Sequence, residues 1–180
     1  VVEAEKRGLP NIKSMIEAAS TLTSEKAVAL FEKFGIYTKA ELESREEIIY
    51  ETYAKTINIE ALTMIDMAGK QIIPAVVKYT KTLADTANAI KAAGGDASVQ
   101  TELLADVSTK LAAMQKELNK LVADEKEASA MEDVKAQAFF YKDTIKATMD
   151  ELRKPADELE MIVDKDVWPI PTYGELMFEV

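Results

Sequence analysis

Apolar residues recur along most of this chain at intervals of three and four. Leu104, Val107, Leu111, Met114, Leu118 and Leu121 step alternately by three and four, the seam of a helix packed at a shallow angle on its neighbours. Val134, Ala138, Tyr141, Ile145, Leu152, Leu159 and Ile162 form a second such stripe, with Pro155 inside it as an expected kink. No stretch alternates with period two for long enough to predict a strand.

Start and stop signals divide the pattern into elements. "VVEAEKR" reads as the end of a helix stopped by Gly8. Pro10 and Asn11 open a short helix, with Asn11 as the expected N-cap and Ile12, Met15, Ile16 and Ala19 as its stripe. Thr23 or Ser24 caps the next helix, Glu25 complements its dipole, Ala27, Leu30, Phe31 and Phe34 line it, and Gly35 ends it. Thr38 and Glu41 have the spacing of a capping box, with Tyr37 placed to staple onto Leu42. No strong stop follows until Gly94-Gly95, so the spacing predicts one helix of about 55 residues, roughly 80 Å long. A kink is expected near Gly69 and Pro74, because Pro74 cannot bond the carbonyl of Lys70. Another helix runs from Ser98 to about Lys126, and Ser129 to Glu132 reads as a further capping box with a turn just before it.

Three long amphipathic helices must bury their stripes on one another. The expected fold is therefore all-α: an elongated antiparallel bundle of three long helices, plus two short N-terminal helices, with an extended Pro-containing C-terminal tail. Residues 1–37 form the short helices and a link to whatever lies upstream, 38–166 the bundle, and 167–180 the tail. The chain does not start with Met, which points to a piece of something larger.

Composition narrows the chemistry. The net charge of −10 argues against nucleic acid and anionic lipid as partners. No uncharged apolar run approaches the length of a membrane span, and "VVEAEKRGLP" is not a signal peptide. The chain has no Cys and no His, which excludes disulfides, thiolate chemistry, Cys/His zinc sites and imidazole catalysis. A chain without Cys fits the cytoplasm. No phosphate-binding loop, nucleophile elbow or HExxH is present. Glu60 and Asp66 interrupt the apolar stretch "TINIEALTMIDMA", with Asn58 beside them; such residues serve either as ligands or as hydrogen-bonded packing groups. Met64, Met67, Met114, Met131, Met149 and Met161 suit a soft binding groove, but they fall on or near core stripes, so ordinary packing is the expected role.

The tail, "DVWPIPTYGELMFEV", is too apolar for a disordered end. Trp168 and Tyr173 are expected to anchor it, Pro169 and Pro171 to hold it extended, and Gly174 to let Leu176, Met177 and Phe178 reach a surface. That surface is either the chain's own bundle or a neighbouring domain.

Four segments carry a family resemblance: "GLPN" at Gly8–Asn11, "SEKAVALFEKFGIYTKAELESR" at Ser24–Arg45, "YAKTINIEALTMIDMA" at Tyr53–Ala68, and "WPIPTYGELMF" at Trp168–Phe178. Together they resemble the C-terminal region of type III glutamine synthetases; Gly94 to Glu132 carries little of the signature. The resemblance implies a large bacterial enzyme of nitrogen metabolism that makes glutamine from glutamate and ammonia. It consumes ATP with Mg²⁺ or Mn²⁺, and it is built as a homo-oligomeric ring of subunits. The family's catalytic and phosphate-binding motifs lie upstream of this region and none has a match here. No catalytic, cofactor-binding or metal residue is therefore carried over, and the chain reads as an appendage without cofactor. Its partners would be the upstream catalytic domain and other subunits. The competing expectation is an independent helical module that binds a protein through its tail or methionines.

Overall fold

The structure, a computed structural model, describes residues 2–171 and 173–178. Helices α1 (Val2–Lys6), α2 (Met15–Ala19) and α3 (Glu25–Lys33) are short. They lead into α4 (Lys39–Met67), a π-helical segment at Ala68–Ile72, and α5 (Ile73–Ala92). After a turn come α6 (Ser98–Ser129), α7 (Val134–Phe140), a second π segment at Tyr141–Ile145, α8 (Lys146–Glu160) and α9 (Tyr173–Phe178). No strand occurs among the described residues, and no described helix is long and apolar enough to cross a membrane.

The capping chemistry explains where these helices start. The Thr38 N–H donates to the Glu41 carboxylate at 2.7 Å and the Glu41 N–H returns a bond to Thr38 Oγ1 at 3.3 Å, the reciprocal pair that the sequence predicts. Ser24 caps α3 by accepting the Ala27 N–H at 3.4 Å. The first short helix starts later than expected. Its N-cap is Ser14, not Asn11: Ser14 Oγ accepts the Glu17 N–H at 3.3 Å while Glu17 takes the Lys13 N–H at 2.9 Å. Only Ser14 has a carboxylate three residues on, and that decides the register.

The Ser129–Glu132 box does not form. Ala128 is fully buried, which keeps α6 helical through Ser129, and Asp133 caps α7 by accepting the Ala136 N–H at 2.6 Å. Gln137 Nε2 donates to the carbonyl of Ala128 at 3.0 Å, sealing the end of α6. At the other end of α6, Gly94 adopts φ 78°, and the Gly95 N–H closes on the Ile90 carbonyl at 2.9 Å.

The chain divides into two compact units. The first comprises residues 1–58 and 128–143. Ile16, Ala19, Tyr50 and Ala138 form its core, flanked by Ile49, Tyr53, Val134 and Phe139. Glu46 pairs with Lys135, the Tyr50 ring meets Phe139, and Asn58 reaches Tyr141. Numbering rises together on both helices, so α4 and α7 run parallel. Of the expected N-terminal stripes, Ile16 and Ala19 are buried, but Ile12, Met15, Leu30 and Phe34 are exposed.

The second unit comprises residues 59–127 and 144–180. Val76, Leu83, Val107, Met114, Leu118, Leu121, Ile145, Leu152 and Leu159 are buried in it. Leu104 and Leu111, from the same predicted seam, are only half-buried. Lys110 pairs with Glu158 at 3.6 Å and Asp124 accepts the Thr148 hydroxyl at 2.7 Å. As α6 advances α8 recedes, so these two run antiparallel. A Cβ on Gly69 would meet Leu118 at 3.7 Å, which sets the π segment against the middle of α6.

The last element departs from expectation. Residues 173–178, expected as extended chain, form helix α9. Glu175 lies in its first turn, where it complements the dipole, and takes an ion pair from Lys165 at 3.1 Å.

Candidate binding cavity

Two local features build a cavity in the second unit. Pro74 has no N–H to offer and its ring clashes with the carbonyl four residues back. The helix accommodates this by widening: the Ile73 N–H bonds to the carbonyl of Ala68, five residues away, and Ala68–Ile72 becomes π-helical. This is how the expected disturbance at Gly69 and Pro74 is realised.

The second feature is the turn after α8. Asp164 organises it: its carboxylate accepts the Asp166 N–H at 2.9 Å, and its carbonyl accepts the N–H groups of Val167 and Trp168, each at 2.9 Å. Pro169 then prevents helix continuation. Successive tail residues face alternate sides. Trp168 and Ile170 border one hollow with Ala68 and Ile72, while Val167 and Pro169 border another with Gln71 and Pro74. The tail thus lies along the π segment.

The first hollow is a cavity of about 550 Å³. Ala68, Ile72, Met114 and Leu152 form its buried floor; Met64, Met67, Met149, Trp168 and Ile170 form half-buried walls. Four of the six methionines picked out in the sequence therefore converge here, which no local periodicity could have revealed. The exposed charged residues Glu60, Arg153, Asp157 and Glu160 stand at the mouth. The indole Nε1 of Trp168 is enclosed and has no hydrogen-bond acceptor among the described residues.

The remaining sequence candidates are placed elsewhere. Asn58 is a packing group in the first unit, donating to the Tyr141 hydroxyl at 2.8 Å. Asp66 pairs with Lys70 one turn along the helix. Pro171 is exposed, as are Leu176, Met177 and Phe178, the last at 78%. The side chain of Tyr173 lies outside the described residues.

The first unit holds a polar network that the sequence reading missed. Tyr50 donates to Glu46 at 2.6 Å, and Lys135 stands 3.5 Å from the same carboxylate and 5.6 Å from the Tyr50 ring. Burial raises the Glu46 carboxyl, but hydrogen bonds from Tyr50 and Thr23 and the charge of Lys135 outweigh it and hold the group below its ordinary value. Burial and the neighbouring carboxylate push the Tyr50 phenol well up. Nearby, hydrogen bonds from Lys142 and from the Lys13 N–H hold Glu17 low. An anionic Glu held against a neutral Tyr and a Lys is a fixed, satisfied arrangement, suited to packing rather than proton transfer.

Among known proteins, the family described as "Glutamine synthetase C-terminal domain" matches residues 1–91, which span α1 to α5. The chain belongs to that family. Its similarity to individual members extends further, across α6 to the tail. It is 38% identical over 182 residues to a glutamine synthetase of Butyrivibrio fibrisolvens, covering 100% of this chain and 26% of that one. It is 33% identical over 181 residues to the type-3 glutamine synthetase of Dictyostelium discoideum, covering 97% and 25%. With a glutamine synthetase of Bacteroides fragilis it shares 29% over 182 residues, covering 98% and 25%. The chain thus spans about a quarter of the length of these relatives.

Proposed function

We propose that this chain is the noncatalytic helical portion of a glutamine synthetase, where it supports or helps assemble the catalytic domain. The observation that carries this reading is similarity along the whole chain to about a quarter of each relative, in a sequence with neither His nor Cys and no phosphate-binding loop. On this reading the parent ligates ammonia to glutamate with ATP and Mg²⁺ or Mn²⁺, works in the cytoplasm, and assembles as a ring of identical subunits. The residues described here do not fit the nucleotide–metal group: among them no three His, Cys, Asp or Glu side chains come together as a metal-ligand set. No step of the ligase reaction is therefore routed through them.

The test is assay of the purified chain for γ-glutamyl transfer and ATP-dependent glutamine synthesis with Mg²⁺ and with Mn²⁺. No turnover is expected. Turnover that copurifies with the chain overturns the reading. The coding sequence upstream supplies the second arm: a contiguous ATP-ligase domain supports it, and a complete gene without one favours an independent interaction module.

A further inference from the structure

We infer that the cavity beneath Trp168 is a docking groove for a basic amphipathic helix of a partner protein. Three observations on the second unit lead to this, and none depends on the parent's catalytic activity.

The first is shape. The residues lining the cavity run along α8 from Met149 to Glu160 and along α4 from Ile59 to Met67. From the first to the last of these α8 residues the helix axis advances roughly 16 Å, about three turns. A helix laid in such a groove meets it with anchors on successive turns.

The second is the lining. Met64, Met67, Met114 and Met149 supply unbranched, polarizable side chains that re-pack around varied apolar anchors. Trp168 and Ile170 add a rigid flank.

The third is charge, which selects the class of partner. Of the four charged groups at the mouth, Arg153 pairs with Asp157 at 3.2 Å. Glu60 and Glu160 are left with no ion-pair partner among the described residues. The whole chain carries −10, so cations flanking an apolar anchor are attracted at long range and held at the rim. Fatty acids, anionic lipid surfaces and acidic helices are repelled. A second copy of this chain is disfavoured for the same reason, since it carries the same net charge of −10.

The test uses the 180-residue chain and three synthetic peptides. One has Lys, Leu and Phe spaced to give an apolar stripe on a basic helix. The second has the same composition scrambled so that no stripe forms, and the third has Glu for every Lys. Binding is followed by emission of the single Trp and by calorimetry at two temperatures. The basic amphipathic peptide is expected to bind at one saturable site with a negative heat-capacity change. The scrambled and acidic peptides should bind at least about tenfold more weakly. Met149→Lys should abolish binding, and the exposed double change Glu60→Lys with Glu160→Lys should weaken it by about tenfold or more, with circular dichroism unchanged. Equal binding of the scrambled peptide, indifference to both variants, or no binding overturns the proposal. So does self-association in sedimentation that the same variants abolish, which makes a second copy the occupant.

Discussion

Tyr50 donates its phenolic hydrogen to Glu46 across one turn of α4, at 2.6 Å. The pair is stable in one protonation state only, with the phenol neutral and the carboxylate ionised. Glu46 is held below its ordinary value of 4.5, so its contribution is complete above that pH and is lost as the pH falls through the folded-state value. Tyr50 is raised above 10.0, so its contribution is complete below that pH and is lost on further alkalinisation. Glu46→Gln keeps an acceptor but loses the charge. It should cost about 1–2 kcal/mol at neutral pH and flatten the acid limb of a plot of melting temperature against pH. An unchanged acid limb would show that Glu46 is not the group responsible.

Trp168 presents an enclosed Nε1–H with no acceptor among the described residues. Trp168→Ala should cost about 2–3 kcal/mol through lost packing. Trp168→Phe also loses area, but it removes an unsatisfied donor worth about 1–3 kcal/mol when buried, so its net effect should stay within about 1 kcal/mol. Chemical denaturation of both variants decides the matter; equal losses would mean that the indole nitrogen has a partner.

Burial ranks the seam of α6. Leu121 is fully buried and Leu111 only half-buried: Leu121 repeats the heptad place of the fully buried Val107 and Met114, whereas Leu111 repeats that of the half-buried Leu104. Leu121→Ala should cost about 2–5 kcal/mol. Leu111→Ala should cost about 1–2 kcal/mol, and the exposed Lys120→Ala no more than about 0.5 kcal/mol. Melting temperatures should fall in that order, and a reversed order of the two leucines would contradict the placement of α6.

The helix starts make a matched pair of tests. Thr38→Ala and Asp133→Ala each remove a side-chain acceptor for a helix N-terminal N–H and should each cost about 1 kcal/mol. Substitution at Asn11, which caps nothing in α2, should leave stability within about 0.5 kcal/mol. A larger loss at Asn11 than at Ser14 would restore the earlier helix start.

The contrast between these caps shows what a linear sequence reveals. Thr38 and Ser24 were legible because the bonds they make are local and their spacing carries the information. Ser129 has the same spacing to Glu132 as Thr38 to Glu41, yet the burial of Ala128 overrides it, and burial is a property of the partner helices. The methionines were visible as a set, but their meeting at one cavity depends on α4, α6 and α8 coming together over the turn at Asp164. The network of Glu46, Tyr50 and Lys135 joins residues far apart in the chain, so no motif announced it. Helix α9 was hidden by its own neighbours: two prolines and a glycine argue for extended chain, whereas Glu175 gains both a dipole and Lys165 only once the segment coils.

The π turn at Ala68–Ile72 also has a consequence for chain length. A helix that closes one turn over five residues instead of four holds one residue more than its span requires, while the elements on either side keep their facing. That residue is a spare. Removing one amino acid between Ala68 and Ile72 together with Pro74→Ala should let the turn relax to ordinary α-helix and leave α5 and Gly94-Gly95 in phase. The same deletion inside Val107–Leu121 would rotate everything after it by about 100° and empty the core. A stretch that looks like the weak point of the longest helix is thus the part of that helix that can best absorb the loss of a residue.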